Sequence, residues 1–229
     1  RFSGAATVTV EASGRNFDPR ADDDATAQVP FTVSTDHVGP DEARAGRWVS
    51  GTFGWWWRYE DGSYPTSTQL RIDGAIYRFN ARGYMVTGWV YEDGQWYYYG
   101  ASGGQSAGWV RVHGTWYYLD PLTGAMASGW TKVQGTWYYL SSSGAMRTGW
   151  MRDGSAWYYL TSSGALATGW QRVGSSWYYL SPDGGAMVTG WLRDGDAWYY
   201  LTSSGAMATG SRWIDGTRYA FDDEGRLMP

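Results

Sequence analysis

An all-β chain, a solenoid of stacked β-hairpins of about 20 residues each, is predicted by three observations. The triplet Trp-Tyr-Tyr begins at Trp96, Trp116, Trp137, Trp157, Trp177 and Trp198, at spacings of 20, 21, 20, 20 and 21. A Gly-Trp pair stands ahead of each triplet, with its Trp at Trp89, Trp109, Trp130, Trp150, Trp170 and Trp191. Between units runs a Gly-Ala-Met-like stretch ending in Thr-Gly or Ser-Gly, as in Gly144-Ala145-Met146-Arg147-Thr148-Gly149. Self-similarity at a short fixed period is the sequence mark of a solenoid, in which each unit buries its apolar face against its neighbours.

Residues 1–47 differ in composition and read as a linker or the tail of an upstream domain. Ala6-Thr7-Val8-Thr9-Val10-Glu11 and Pro30-Phe31-Thr32-Val33-Ser34 alternate like strands, around an acidic stretch through Asp18 and Asp22-Asp23-Asp24. So short a segment buries too little to stand alone. The repeat array then fills 48–229. Its N-terminal capping repeat, 54–87, opens on Gly54-Trp55-Trp56-Trp57-Arg58-Tyr59 and contains Asp73-Gly74-Ala75-Ile76-Tyr77-Arg78-Phe79. Six regular repeats occupy 88–209. A C-terminal capping repeat, 210–229, carries Asp215-Gly216-Thr217-Arg218-Tyr219-Ala220-Phe221. Both caps keep a turn and an aromatic but lose the triplet, as expected where a solenoid ends.

Within a regular unit the hairpin is explicit. Trp109-Val110-Arg111-Val112 and Thr115-Trp116-Tyr117-Tyr118-Leu119 are β-branched and aromatic runs, separated by His113-Gly114. The same slot holds Gln134-Gly135, Asp153-Gly154 and Asp194-Gly195, pairs that tolerate the positive φ of a primed turn. Alternation puts Val110, Val112, Tyr117 and Leu119 on one face, and Trp109, Arg111, Trp116 and Tyr118 on the other. The Val, Leu and Tyr117-type positions, including Tyr138 and Tyr158, are expected inside. The Trp and Tyr118-type positions are expected in the groove between adjacent hairpins.

Composition excludes most catalytic chemistry. The 229 residues hold 17 Trp, 19 Tyr and 33 Gly, too aromatic for a disordered tail, and no apolar run reaches the ~20 residues of a membrane helix. There is no Cys, hence no disulfide, thiol catalysis or Cys-type metal site. The two histidines, His37 and His113, lie in unrelated contexts, the second in a hairpin turn. Asp22, Asp23 and Asp24 read as a solvated loop rather than an acid/base pair. No oxygen-rich loop recurs with the hairpins, so no metal and no cofactor are expected. A net charge of −4, with one lysine, Lys132, has the wrong sign for nucleic acid. Arg111, Arg152, Arg172 and Arg193 recur beside the Gly-Trp strand, either as solvated strand charges or as contacts for phosphate oxygens. Arrayed Trp and Tyr rings suit two ligand chemistries: a quaternary ammonium held by cation–π attraction, or a sugar stacked on its apolar face.

Units such as Thr148-Gly149-Trp150, Trp157-Tyr158-Tyr159-Leu160 and Gly164-Ala165-Leu166 resemble the choline-binding, or cell-wall-binding, repeats of Gram-positive surface proteins and autolysins. The resemblance covers about residues 54 to 229. It implies a left-handed superhelix of hairpins, with phosphocholine of teichoic acids held between successive hairpins by two rings from one repeat and one from the next, closed by a Met-like residue. By that resemblance the cages are Trp109, Trp116 and Tyr139 with Met126; Trp130, Trp137 and Tyr159 with Met146; Trp150, Trp157 and Tyr179 with Leu166; and Trp170, Trp177 and Tyr200 with Met187. In a further set, Trp89, Trp96 and Tyr118, Gln105 stands in the Met position. At the other end Trp191 and Trp198 with Met207 would take Phe221 as third ring, because Gly210-Ser211-Arg212-Trp213 replaces the Gly-Trp strand.

The resemblance further implies a non-catalytic module of a secreted, cell-surface protein, with any wall hydrolase upstream of residue 1, and a homodimer through the C-terminal repeats as in some members. Similar repeats in the tails of glucosyltransferases and large toxins bind carbohydrate, so a glucan or host glycan is the alternative ligand. The complete Trp, Trp and Tyr set in each central repeat favours choline.

Overall fold

The structure, a computed structural model, describes residues 40–229. The two strands expected before residue 35, the Asp22–Asp24 cluster and His37 lie outside the described residues. Every regular element among the described residues is a strand, and each strand pairs only with its chain neighbour in a two-stranded antiparallel sheet. Among the described residues no helix is long and apolar enough to cross a membrane.

The hairpins follow in chain order. The first two are β1 (Gly46–Gly51) with β2 (Gly54–Tyr59), and β3 (Thr68–Ile72) with β4 (Ala75–Phe79). The six regular repeats follow, beginning with β5 (Gly88–Glu92) and β6 (Gln95–Tyr99), then β7 (Gly108–Val112) and β8 (Thr115–Leu119), and β9 (Gly129–Val133) and β10 (Thr136–Leu140). They continue with β11 (Gly149–Asp153) and β12 (Ala156–Leu160), β13 (Gly169–Val173) and β14 (Ser176–Leu180), and β15 (Gly190–Asp194) and β16 (Ala197–Leu201). β17 (Gly210–Ile214) and β18 (Thr217–Phe221) complete the chain. Upstream of β1, Asp41 and Ala43 exchange backbone hydrogen bonds with Arg71 on β3.

Among the described residues, 40–128 with 142–145 form one compact unit, and 129–141 with 146–229 form a second. The first therefore holds β1 to β8 and the second β9 to β18.

The regular hairpins turn in two ways. His113-Gly114 and Gln134-Gly135 have positive φ at both residues, the signature of a type I′ turn. At β11–β12 the strands end on Asp153 paired with Ala156, so the turn is Gly154-Ser155, with positive φ at Gly154 alone. Gly174-Ser175 and Gly195-Asp196 do the same, as a type II′ turn requires. The sequence reading of Asp153-Gly154 and Asp194-Gly195 as turn pairs is thus corrected by one residue. Glycine leads the turn, and each aspartate ends a strand.

The core is a row of strand ends. Leu140, Leu160, Leu180 and Leu201 in the second unit, and Phe79, Tyr99 and Leu119 in the first, are completely buried, with Phe221 2% exposed. Each leucine pairs across its hairpin with a glycine, as Leu160 does with Gly149, and bridges to the linker residue that follows, as Leu160 does to Leu166. Large side chains opposed by glycine leave no room for water, and each buried Leu contributes about 1.5–3 kcal/mol. The Tyr117-type positions, expected inside with the leucines, are instead mostly half-buried; Tyr158 alone of them is buried, at 4% exposed.

Candidate functional site

The registers decide which rings share a face. Trp150 stands opposite Tyr159, and Arg152 opposite Trp157, so these four project together. Met151 with Tyr158, and Asp153 with Ala156, project from the other side of the same hairpin. Within each unit the regular hairpins stack front to back, the Trp face of one against the Tyr158-type face of the next. Trp130 accordingly meets Tyr158 with centroids 5.0 Å apart, Trp150 meets Tyr178 at 4.8 Å, Trp170 meets Tyr199 at 4.9 Å and Trp191 meets Tyr219 at 4.9 Å. In the first unit Trp89 meets Tyr117 at 4.8 Å. All five contacts are edge-to-face, the favoured geometry of aromatic pairs.

The third member of each triplet packs within its own hairpin. Tyr139 lies 5.2 Å from Trp130, Tyr159 5.1 Å from Trp150, Tyr179 5.2 Å from Trp170 and Tyr200 5.2 Å from Trp191. Tyr118 likewise sits 5.1 Å from Trp109. Desolvation raises the phenol pKa of Tyr118 and Tyr179, and the charge of Asp194 adds to the effect at Tyr179.

The closing residue comes from the linker after the second hairpin of each pair. Its backbone N–H donates to the carbonyl of the first hairpin's triplet Trp: Met126 to Trp96, Leu166 to Trp137, Met187 to Trp157, Met207 to Trp177 and Leu227 to Trp198, at 2.7–2.8 Å. At Trp191 and Trp198 the result is a cavity of about 350 Å³ lined by those two rings, Tyr219 and Leu227.

The rings and linker residues that meet these Trp in the structure lie one place away from those the resemblance implies. Trp130 and Trp137 are joined by Tyr158 and Leu166, not Tyr159 and Met146; Trp150 and Trp157 by Tyr178 and Met187, not Tyr179 and Leu166; Trp170 and Trp177 by Tyr199 and Met207, not Tyr200 and Met187. Trp89 and Trp96 gain Tyr117 and Met126 in place of Tyr118 and Gln105. Phe221, buried in the C-terminal core, gives way to Tyr219. The reason is the two-residue period, because a ring on the forward face of one hairpin cannot also reach back. Tyr158, Tyr178, Tyr199, Tyr219 and Leu227 were missed, although alternation counted from Trp150 to its cross-strand partner Tyr159 was available to find them. Trp109 and Trp116 face each other with centroids 6.4 Å apart, as do Trp191 and Trp198.

Exposure is concentrated on the triplet Trp, with Trp96, Trp116, Trp157, Trp177 and Trp198 each 41–45% exposed. The strand residue opposite supplies cations on the outer side: Arg111 lies 6.0 Å from the Trp116 ring and Lys132 5.7 Å from Trp137. Two Trp faces and a Tyr around a small open cavity present converging negative quadrupoles and apolar surface, which attract a weakly hydrated cation or the C–H face of a sugar. Among the described residues no group of three or more His, Asp or Glu is placed to hold a metal ion.

Comparison with known proteins finds the same kind of repeat. The family model described as the choline-binding repeat matches four times, at residues 66–107, 93–129, 127–168 and 167–211. Choline binding protein F from Streptococcus pneumoniae, solved in the presence of a peptidoglycan analogue, is 37% identical with a TM-score of 0.67, over 76% of this chain and 61% of that one. The chain thus spans less than two thirds of that protein's length. CbpJ from the same organism is 30% identical with a TM-score of 0.55, over 80% of this chain and 87% of that one. The modular autolysin LytC, also from Streptococcus pneumoniae, is 33% identical with a TM-score of 0.59, over 80% of this chain and 42% of that one. No curated protein matches significantly in sequence.

Proposed function

Because the chain belongs to the choline-binding repeat family, we propose that it is a non-catalytic anchoring module, which holds a secreted protein to the bacterial cell surface by taking choline groups of teichoic acids into the cages between consecutive hairpins. The observation that carries this reading is the cavity closed by Trp191, Trp198, Tyr219 and Leu227, open to solvent and free of any charged side chain in its lining. A trimethylammonium head loses little hydration on entering such a site and gains cation–π attraction of about 0.5–2 kcal/mol per good ring. Each cage alone is then weak, roughly millimolar in Kd. Tightness comes from repetition, since choline groups strung along one polymer meet cages repeated along one chain. Pairing of two copies through the C-terminal hairpin, where Trp213 is 75% exposed, would double that valency.

The test is a titration of intrinsic Trp fluorescence with choline chloride, beside sodium chloride and a small glucan oligosaccharide. The expected result is a saturable change with choline alone, reduced in Trp137→Ala and in Trp157→Ala because each removes one wall of one cage. A response to the glucan without one to choline would transfer the site to carbohydrate. Silence to all three would leave the rings a packing device.

A further inference from the structure

The last residue of each first strand projects toward the hairpin before it, and in the second unit that residue alternates between a carboxylate and an alkyl group. Asp153 accepts a hydrogen bond from the Trp130 indole N–H at 2.9 Å, and Asp194 from the Trp170 indole N–H at 2.8 Å. The corresponding residues beside Trp150 and Trp191 are Val173 and Ile214, and neither indole finds an acceptor among the described residues. The Gly154 and Gly195 turns make this arrangement, because they leave the aspartate inside the strand.

We propose that Asp153 and Asp194 make the Trp130 and Trp170 cages ion-pairing sites, which hold a cation more tightly at low salt than the Trp150 and Trp191 cages and admit ammonium heads that still carry an N–H. The proposal rests on the reading of the cages as cation sites. Each carboxylate spends Oδ2 on the indole, and Oδ1 makes no hydrogen bond to the described residues. A charge on the rim of an indole lies about one ring's width from a cation over that ring, inside the ~8 Å screening length of physiological salt. At that range in a water-rich site it adds about threefold in affinity. Rings alone reward methyl groups and leave an N–H unpaired. An ammonium seated at the ring's edge can give that N–H to the free Oδ1, so a primary ammonium becomes a ligand only where the aspartate stands.

The same slot also serves structure. On β3, Gln69 donates to Glu92 at 3.1 Å, and Glu92 pairs as well with Arg78, with no indole involved. A clamp between hairpins needs only an acceptor, which asparagine retains, whereas ion pairing needs the charge.

The experiment follows the indole N–H signals of 15N-Trp-labelled protein by NMR, which gives each cage its own apparent Kd. Choline chloride and ethanolamine hydrochloride are titrated at low and at high sodium chloride. For choline at low salt, the Trp130 and Trp170 signals should saturate at about threefold lower concentration than those of Trp150 and Trp191, and the gap should close at high salt. Ethanolamine should move only the first pair. Asp153→Asn should bring the Trp130 cage to the level of Trp150 and leave Trp170 unchanged. Val173→Asp, made on the same type of turn, should confer the salt-sensitive behaviour on Trp150, and it carries the test if Asp153→Asn disturbs the fold. Choline binding that is equal at all four signals, or unaltered by both substitutions, overturns the proposal and leaves the aspartates as clamps. No response to choline at any signal removes the cation reading and this proposal together.

Discussion

Tyr99 stands where most repeats have leucine, completely buried, and its hydroxyl is the one polar side-chain atom among the described residues that is buried without a hydrogen-bond partner. An orphaned hydroxyl costs about 1–3 kcal/mol. Tyr99→Phe keeps the ring and removes the orphan, so it should raise the melting temperature. Burial pushes the Tyr99 phenol up to about 12. The folded chain therefore keeps a proton that the unfolded chain releases near pH 10, and the associated stability is complete below about pH 10 and lost as pH rises through about 12. Thermal melts across that window should show the wild type losing more stability than Tyr99→Phe, and parallel curves would refute the assignment. This position was legible as a core site, because the last residue of Trp96-Tyr97-Tyr98-Tyr99 aligns with the leucine of Trp116-Tyr117-Tyr118-Leu119. That its hydroxyl has no partner is a property of the surroundings, which no single repeat reveals.

At the scale of the element, the linkers set the spacing between hairpins. Gly164 has φ +86°, and a Cβ there would lie 2.4 Å from the Met146 sulfur and 2.8 Å from its methyl carbon. Glycine is thus needed twice over, for its backbone and for the side chain of the preceding linker. Gly164→Ala should destabilise by about 1–3 kcal/mol, measured by denaturant unfolding, while Ser162→Ala on the exposed side of the same linker should be near neutral. The repeat, the hairpin and its face assignment followed from period and alternation. The family resemblance put Tyr159 in a cage, and since Tyr158 and Tyr159 are the same side chain only the opposition of Trp150 to Tyr159 tells them apart. The turn slipped for a related reason. Asp153-Gly154 has the composition of a type I′ pair, but its glycine comes four residues after Trp150, whereas Gly114 comes five after Trp109. That count was the available signal.

For the molecule as a whole, the proposed function lies in number rather than in any one site. A soluble polymer bearing many choline groups should bind at least about a hundredfold more tightly, per choline, than free choline. The advantage should shrink with each cage removed, as in Trp137→Ala followed by Trp137→Ala with Trp157→Ala. Surface plasmon resonance on immobilised protein would read both. Equal affinity for polymer and monomer would mean that the cages cannot be engaged together, whatever their individual strength. The repeat count was legible from the first inspection of the sequence; how consecutive hairpins share a cage was not, because sharing depends on which face each hairpin offers its neighbour.

On the proposed reading a cage takes two walls from one regular hairpin and the remaining two from its successor, so a run of regular hairpins needs one further hairpin to close its last cage. The β17–β18 hairpin contributes Tyr219 to the hairpin before it, yet has Ser211 and Arg218 where the six regular hairpins have the two Trp walls. It finishes a site without starting one. For the gene this makes ligand capacity a matter of copying: duplicating any internal repeat unit, in phase, adds one whole site with both half-sites already matched, whereas duplicating the last unit adds length and no capacity. Tandem DNA repeats that misalign during replication would thus change the grip of the protein in single steps, without a new residue having to be invented.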